Sequence, residues 1–379
     1  MARSLLPAEG APAPAPGATQ QGPDVVFLHE QVPNARSAEL DTLDLKIIQG
    51  LQVGPRLPFA RIAEVIGVSE QTVARRYRRL RGDGIMRVVA MVNPRRLGQS
   101  DWFVRVGCRP GSTTRLAEAL ARRDDVSWVT ISAGGSELVC SVRSLTSRQR
   151  DDLLQRLPAA GQVLTLTAHE IMFRFAGGIA QDWTGYGGPL AEDQIAALTP
   201  PPVPEPDAPV TLTPGDGKLL AALGRDGRAS YAMLAGETGW TQGVAARRLE
   251  QLRAAGVLYF DIDLATQVMG FASSAYLWLT VEPSRLEVTG ELLAGHAEVP
   301  FVSAITGSSN LIAAVICRDT EALYRYVTTR IGAAPGVRQL EISPILRRVK
   351  QAGTWMDGPR LAVAPRPAAV APAGARATG

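Results

Sequence analysis

Five arginines, Arg75, Arg76, Arg78, Arg79 and Arg81, fall within one short stretch of this chain, just after Gln71 and Thr72. Guanidinium groups present planar forks of donors that match phosphate oxygens and the guanine edge, whereas an amide or hydroxyl can read other base edges. Such a set, carried on one helix face, suits the DNA major groove. A solvated, charged surface helix is the alternative reading of the same pattern.

The elements that would position these groups are legible around them. Ser69 is placed to cap a helix by accepting a backbone N–H, and Gly82 and Gly84 are placed to end it. At about 100° per residue, Val73, Tyr77 and Leu80 share a narrow apolar face. Gln71, Arg75, Arg78 and Arg79 gather opposite, and Arg76 lies beside the seam, where a structural role is expected. Upstream, Leu43, Ile47, Ile48 and Leu51 mark a first helix, and Phe59, Ile62, Ala63 and Ile66 a second. Gly67-Val68 turns from the second into Ser69, which is the helix-turn-helix layout. Ile85–Val92 reads as a wing or a linking strand. From Asp101 onward the order is strand, helix (Thr113–Arg123), strand (Val126–Ala133), strand (Glu137–Val142), helix (Ser147–Leu157), strand (Val163–Phe175). This β-α-β-β-α-β order is ferredoxin-like.

Beyond residue 210 the pattern returns. Asp44 and Asp216, like Gly98 and Gly270, are 172 positions apart. In the same register Arg56 matches Arg228, Phe59 matches Tyr231, Gly67 matches Gly239, Ser69 matches Thr241 and Arg76 matches Arg248. A second α/β unit follows, with strands at Ser274–Val281, Phe301–Thr306, Leu311–Cys317 and Gly336–Val349. Its helices are expected at Leu286–Gly295 and Glu321–Ile331. The expected fold class is α+β, an internal duplication with two helix-turn-helix heads, winged or not, and two ferredoxin-like domains. The expected boundaries are a disordered tail over 1–38, a first head over 39–93 and a first ferredoxin-like domain over 94–175. A proline-rich linker spans 176–210, within which Trp183 and Tyr186 are candidates to pack on a domain, followed by a second head over 211–264, a second ferredoxin-like domain over 265–352 and a disordered tail over 353–379. In the strand Ser274–Val281 both faces are apolar, which predicts sheet-to-sheet pairing, either within the chain as a pseudo-dimer or between chains.

The 379 residues are ample for several domains, and a formal charge of +4 excludes a polycation. Cys108, Cys140 and Cys317 lack metal or redox spacing and read as inert thiols. The stretches Leu264–Val281 and Val299–Cys317 are uncharged but interrupted by polar and turn residues, so strands rather than membrane spans are expected. The first residues lack the apolar run of a signal peptide. A cytoplasmic, nucleoid-associated protein is expected, with no membrane partner. No nucleophile–base pair, phosphate loop or metal cluster is evident, so neither enzyme activity nor a cofactor is expected.

The motifs Leu40-Asp41-x(2)-Asp44-x(2)-Ile47-Ile48 and Gly67-Val68-Ser69-x(2)-Thr72-Val73-x(2)-Arg76-x(3)-Leu80-x(3)-Gly84-Ile85 resemble the Lrp/AsnC (feast/famine) transcription regulators. The resemblance covers about Leu40 to Ala352 apart from the linker, in a form with two fused copies. It implies double-stranded DNA as partner and an amino acid or similar metabolite as effector, with dimerisation through the sheets. On this reading Ser69, Gln71, Thr72, Arg75, Arg76, Arg78, Arg79 and Arg81 form the first DNA-binding set. Thr241, Gln242, Arg247 and Arg248 form the second. The second helix carries Gly243, Glu250 and Gln251 where the first has Gln71, Arg78 and Arg79, so the first head is expected to dominate. The family's glycine-then-acidic effector turn corresponds to Gly134, Ser136 and Glu137 in one copy and to Gly307, Ser309 and Asn310 in the other. A plain β-turn is the other reading of both. The siroheme decarboxylases, which are enzymes, resemble the same fold, but of the three histidines His29 lies in the tail and His169 and His296 suit structural roles; a ligand-binding homologue without DNA binding is the other alternative.

Overall fold

The computed structural model describes residues 40–143, 153–178, 183–201 and 211–362. The expected tail over 1–38 and most of the expected helix Ser147–Leu157 lie outside these residues; the latter is helical over 153–156.

The first head contains α1 (Thr42–Val53), α2 (Phe59–Ile66) and α3 (Glu70–Gly82). Asp41 and Asp44 cap α1 reciprocally, each carboxylate accepting from the other's backbone N–H, at 2.9 and 3.3 Å. Gly67, at φ 75°, ends α2 in the left-handed conformation that a side chain disfavours. Ile47, Ile48, Leu51, Ile62, Val73, Tyr77 and Leu80 close a buried core between the three helices. Strand β1 (Met86–Val92) follows.

The first ferredoxin-like unit has β2 (Asp101–Cys108), α4 (Thr113–Ala121), β3 (Val126–Ser132), β4 (Glu137–Arg143) and the long β5 (Val163–Ala176).

The expected linker needs correction. Trp183, Tyr186, Leu190 and Leu198 pack into the core of the first head, with α5 (Glu192–Leu198) lying on α1 and α2. Gln52 donates to the Trp183 carbonyl at 2.9 Å, Gln49 accepts from the Leu190 N–H at 2.7 Å, and Gln194 donates to the Val65 carbonyl at 2.9 Å. Apolar anchors spaced among prolines and glycines overcome the extended bias of the composition, so 183–198 is a strap rather than a spacer. The most proline-dense part, over 202–210, lies outside the described residues.

The second head repeats the first as α6 (Pro214–Arg225), α7 (Tyr231–Thr238) and α8 (Gln242–Ala254), followed by β6 (Leu258–Leu264). Strands β1 and β6 are not wings. They pair antiparallel with each other, and the repeat-equivalent residues Val89 and Asp261 face each other at the centre of the ladder. The two heads are thus related by a pseudo-two-fold axis. Arg56 donates to the carbonyls of Gly227 (2.5 Å) and Ala229 (3.0 Å), and its counterpart Arg228 to those of Pro55 (2.6 Å) and Leu57 (2.8 Å). Arg56 also lies over the Tyr231 ring and Arg228 over the equivalent Phe59 ring, at 5.4 and 4.4 Å.

The second ferredoxin-like unit has β7 (Ser273–Val281), α9 (Leu286–Ala294), β8 (Phe301–Ile305), β9 (Leu311–Cys317), α10 (Thr320–Arg325) and β10 (Val337–Gln351). The two long strands cross between units. β5 pairs with β2 and β8, and β10 pairs with β7 and β3, so the eight strands close on themselves. Their inner faces meet in an apolar layer of Phe103, Val139, Ile171, Tyr276, Trp278, Ile305 and Ile312. This accounts for the apolar residues on both faces of β7.

The expected C-terminal tail also needs correction. β11 (Thr354–Asp357) and β12 (Arg360–Leu361) form a hairpin on β10, and Leu361 enters the first head's core. There its N–H donates to the Gly84 carbonyl at 2.8 Å, and a Cβ on Gly84, whose φ is 63°, would collide with the Leu361 oxygen. Residues 363–379 lie outside the described residues.

Candidate nucleic-acid interface and effector turns

Helix α3 starts where Ser69 Oγ accepts from the Thr72 N–H at 3.2 Å. Its seam, Val73, Tyr77 and Leu80, is buried, with the Tyr77 ring 5.1 Å from that of Phe59. Gln71, Arg75, Arg78 and Arg79 are exposed on the outer side, and Thr72 is half-buried.

The five arginines divide by what they touch. Arg76 reaches Asp41 at 2.6 Å and both oxygens of the fully buried Asp44 at 3.2 Å. The Asp41 hydrogen bond is the chief cause that raises the Arg76 pKa. Arg79 also pairs with Asp44, and Arg81 with Asp226 of the second head at 2.9 Å. Among the described residues Arg78 donates only to the Ala74 carbonyl, at 3.2 Å. Arg75 makes no hydrogen bond or ion pair among the described residues. Among the described residues Arg75 and Arg78 are therefore the two of the five with no ion-pair partner. Arg76 holds the head together.

Helix α8 repeats this frame with a poorer outer face. Thr241 Oγ1 accepts from the Val244 N–H at 3.3 Å, and Arg248 grips the fully buried Asp216 at 2.6 and 2.8 Å. Burial opposes ionisation of Asp216, but the Arg248 hydrogen bonds and the Thr213 amide outweigh it and hold its carboxyl below the usual range. Gln242 and Arg247 are exposed, whereas Arg253 is neutralised locally by Glu250 at 2.8 Å.

At the first effector turn Ala133, Gly134 and Gly135 take φ values of 48°, 66° and 93°, and Ser136 Oγ donates back to the Ala133 carbonyl at 2.8 Å. Glu137 accepts from Arg105 at 2.6 Å and from Ser132 Oγ at 3.1 Å. Arg105 crosses to Glu341 of the second unit at 2.5 Å and lies 4.3 Å over the Trp278 ring. The Arg105 hydrogen bonds are the main cause that lowers the Glu341 pKa. At the second turn Asn310 accepts from the Val281 N–H (2.8 Å) and donates to its carbonyl (2.7 Å). A Cβ on Gly307 would come within 2.6 Å of His169 Nδ1, and Ser309 is half-buried. The first turn thus spends Ser136 and Glu137, and the second Asn310, on the protein itself.

Sequence reasoning missed a cavity of about 150 Å³ between the β1–β6 ribbon and the closed sheet, lined in part by Arg143, Arg174 and Arg348. An arginine inside an apolar strand was the available signal.

The model of the AsnC-type helix-turn-helix domain matches residues 40–81 and 212–253, and that of the Lrp/AsnC ligand binding domain matches 274–355. The HTH-type transcriptional regulator FL11 of Pyrococcus horikoshii is 30% identical over 117 residues, 30% of this chain and 78% of that protein. The HTH-type transcriptional regulator Ptr1 of Methanocaldococcus jannaschii is 25% identical over 149 residues, 39% of this chain and 97% of that protein. Among solved structures the siroheme decarboxylase NirDL aligns over 81% of this chain and 92% of its own, with a TM-score of 0.55 at 15% identity, a likeness of fold alone. The repeated head, the shared strand order of both sheet units and the match to FL11 lead to one conclusion: this chain belongs to the Lrp/AsnC family.

Proposed function

We propose that the protein is a sequence-specific DNA-binding transcription regulator of the Lrp/AsnC type, modulated by a small metabolite. The observation that carries this reading is the pair of capped helices α3 and α8 on two heads held by a shared strand ladder and reciprocal arginines. A rigid two-fold pair of heads suits two half-sites about one helical turn apart. Gln71, Thr72 and Arg75 lie near the start of α3, the part of a recognition helix that meets base edges, and Arg78 serves phosphates, whereas Arg79 is held by Asp44. Ser69 and Thr241 add helix-start N–H groups for phosphate. Arg76, Arg248 and Arg81 support the heads from within. The first head dominates affinity, because α8 presents Gln242 and Arg247 but pairs Arg253 with Glu250. The protein acts on chromosomal DNA in the cytoplasm; among the described residues no helix is long and apolar enough to cross a membrane.

A decarboxylase reading has less support. His169 packs against Trp278 with Nδ1 at the Thr306 carbonyl (2.6 Å), and His296 meets Tyr326 (3.0 Å); neither lines the cavity. A cavity of about 150 Å³ is smaller than sites for drug-sized ligands, which hold roughly 300 Å³ or more. Selection of bound fragments from genomic DNA tests the regulator. Discrete sites whose affinity falls steeply with salt support it; a siroheme titration that shifts the Soret band, with no selected sites, refutes it.

A further inference from the structure

The cavity beneath the head ribbon has the chemistry of an anion receptor. β6 supplies one wall, and β4, β5 and β10 bring Arg143, Arg174 and Arg348 to it. Arg143 donates to Tyr259 Oη at 2.8 Å and lies 3.8 Å from Asp101, which also accepts from Arg174 at 2.9 Å; Arg143 Nε is buried without a hydrogen-bond acceptor. Arg348 is held only by neutral hydroxyls, Thr266 Oγ1 at 2.8 Å and Ser274 Oγ at 3.0 Å, with no carboxylate in ion-pair range among the described residues. The nearby Asp263 does not compensate it: burial pushes the Asp263 carboxyl up to about 8, so it keeps its proton at neutral pH. A guanidinium taken out of water without a counter-charge is costly, and an entering anion relieves that cost. The other walls combine the aromatic rings of Phe103, Trp128, Tyr276 and Phe301 with polar groups, among them Asp261, whose charge is set against three arginines, and a cavity of about 150 Å³ matches a benzene-sized guest.

We propose that this cavity, rather than either effector turn, is the effector site, and that it takes a small planar monocarboxylate whose carboxylate is received by Arg348 and Arg143. The effector role rests on the regulator reading above; the binding site does not. Arg348 is also the link between sheet and head ribbon, through Thr266 just past β6. A carboxylate that recruits Arg348 competes with Thr266, loosens that link and lowers DNA affinity.

The test is calorimetric titration of the full chain, without DNA, with benzoate and indole-3-acetate, using benzamide as the uncharged control. Saturable binding of at least one carboxylate and none of benzamide is expected. Arg348→Gln should weaken it at least tenfold. Ala314→Leu, which keeps every charge but narrows the cavity, should weaken the larger probe more than the smaller. Near-UV circular dichroism verifies that each variant folds. Absence of saturable binding, or affinities unchanged in both folded variants, overturns the site whatever the DNA results. A saturating carboxylate should lower affinity for a selected DNA fragment at least threefold; binding with no such change overturns the effector role.

Discussion

The residues that do the outer work and those that hold the frame alternate along one helix. Arg75 and Arg76 are neighbours, yet one has no partner among the described residues and the other closes on a buried carboxylate. The helical wheel placed Arg76 beside the seam, but Asp44 as its target required the fold of α1 against α3. Removing an arginine from a buried pair leaves an uncompensated charge, which typically costs 3–5 kcal/mol. Arg248→Ala should therefore lower stability to urea by about 3 kcal/mol. Arg76→Ala should lower it by only about 1 kcal/mol, because Asp44 keeps Arg79. The Asp216 contribution is present above about pH 4 and lost as pH falls through its depressed folded value. Asp263 has the opposite sign. Its carboxyl ionises in the unfolded chain near pH 4 but in the folded chain at about 8, so stability falls as pH rises between these values. Asp263→Asn should thus be more stabilising at pH 8 than at pH 5, by about 1 kcal/mol or more in urea titrations. No difference between the two pH values would contradict it.

At the scale of elements, the parts readable from the sequence are those fixed by local physics. Ser69, Thr241, Gly67 and Gly239 cap or end helices where their types and spacing predict, and the apolar seam at Val73, Tyr77 and Leu80 is buried. Of the strap over 183–198 only Trp183 and Tyr186 stood out as residues able to pack on a domain, and the hairpin over 354–361 was not legible. Trp183, Tyr186 and Leu361 show no helical or strand period, and each gains its place from distant partners in the first head. Leu198 is only 1% exposed and fills space beside Ile62 and Gly50. Leu198→Ala should cost about 2–4 kcal/mol, seen as faster hydrogen exchange in α1 and α2. Exchange unchanged in those helices would mean that the strap is not part of the head.

At the scale of the molecule, duplication has made a two-fold regulator from one chain and then let the halves diverge. The axis passes between Val89 and Asp261, and the Arg56–Arg228 exchange and the crossed strands β5 and β10 keep the copies in register. The repeat was evident from spacing. The crossing of β5 and β10 was not, because both apolar faces of a strand say that something packs there without saying which strand edges join. Arg56→Ala combined with Arg228→Ala should leave each head folded but weaken binding to a two-half-site fragment at least tenfold. Binding to a single half-site should be little changed. The central claim is that DNA is read chiefly by α3. Its most direct test is equilibrium binding of the full chain, Arg75→Ala and Arg247→Ala to one genome-selected fragment at two salt concentrations. The account predicts at least a tenfold loss and a shallower salt slope for Arg75→Ala, with about a threefold loss or less for Arg247→Ala. Equal losses in the two variants would contradict the dominance of α3, and no loss in either would contradict DNA recognition by these helices.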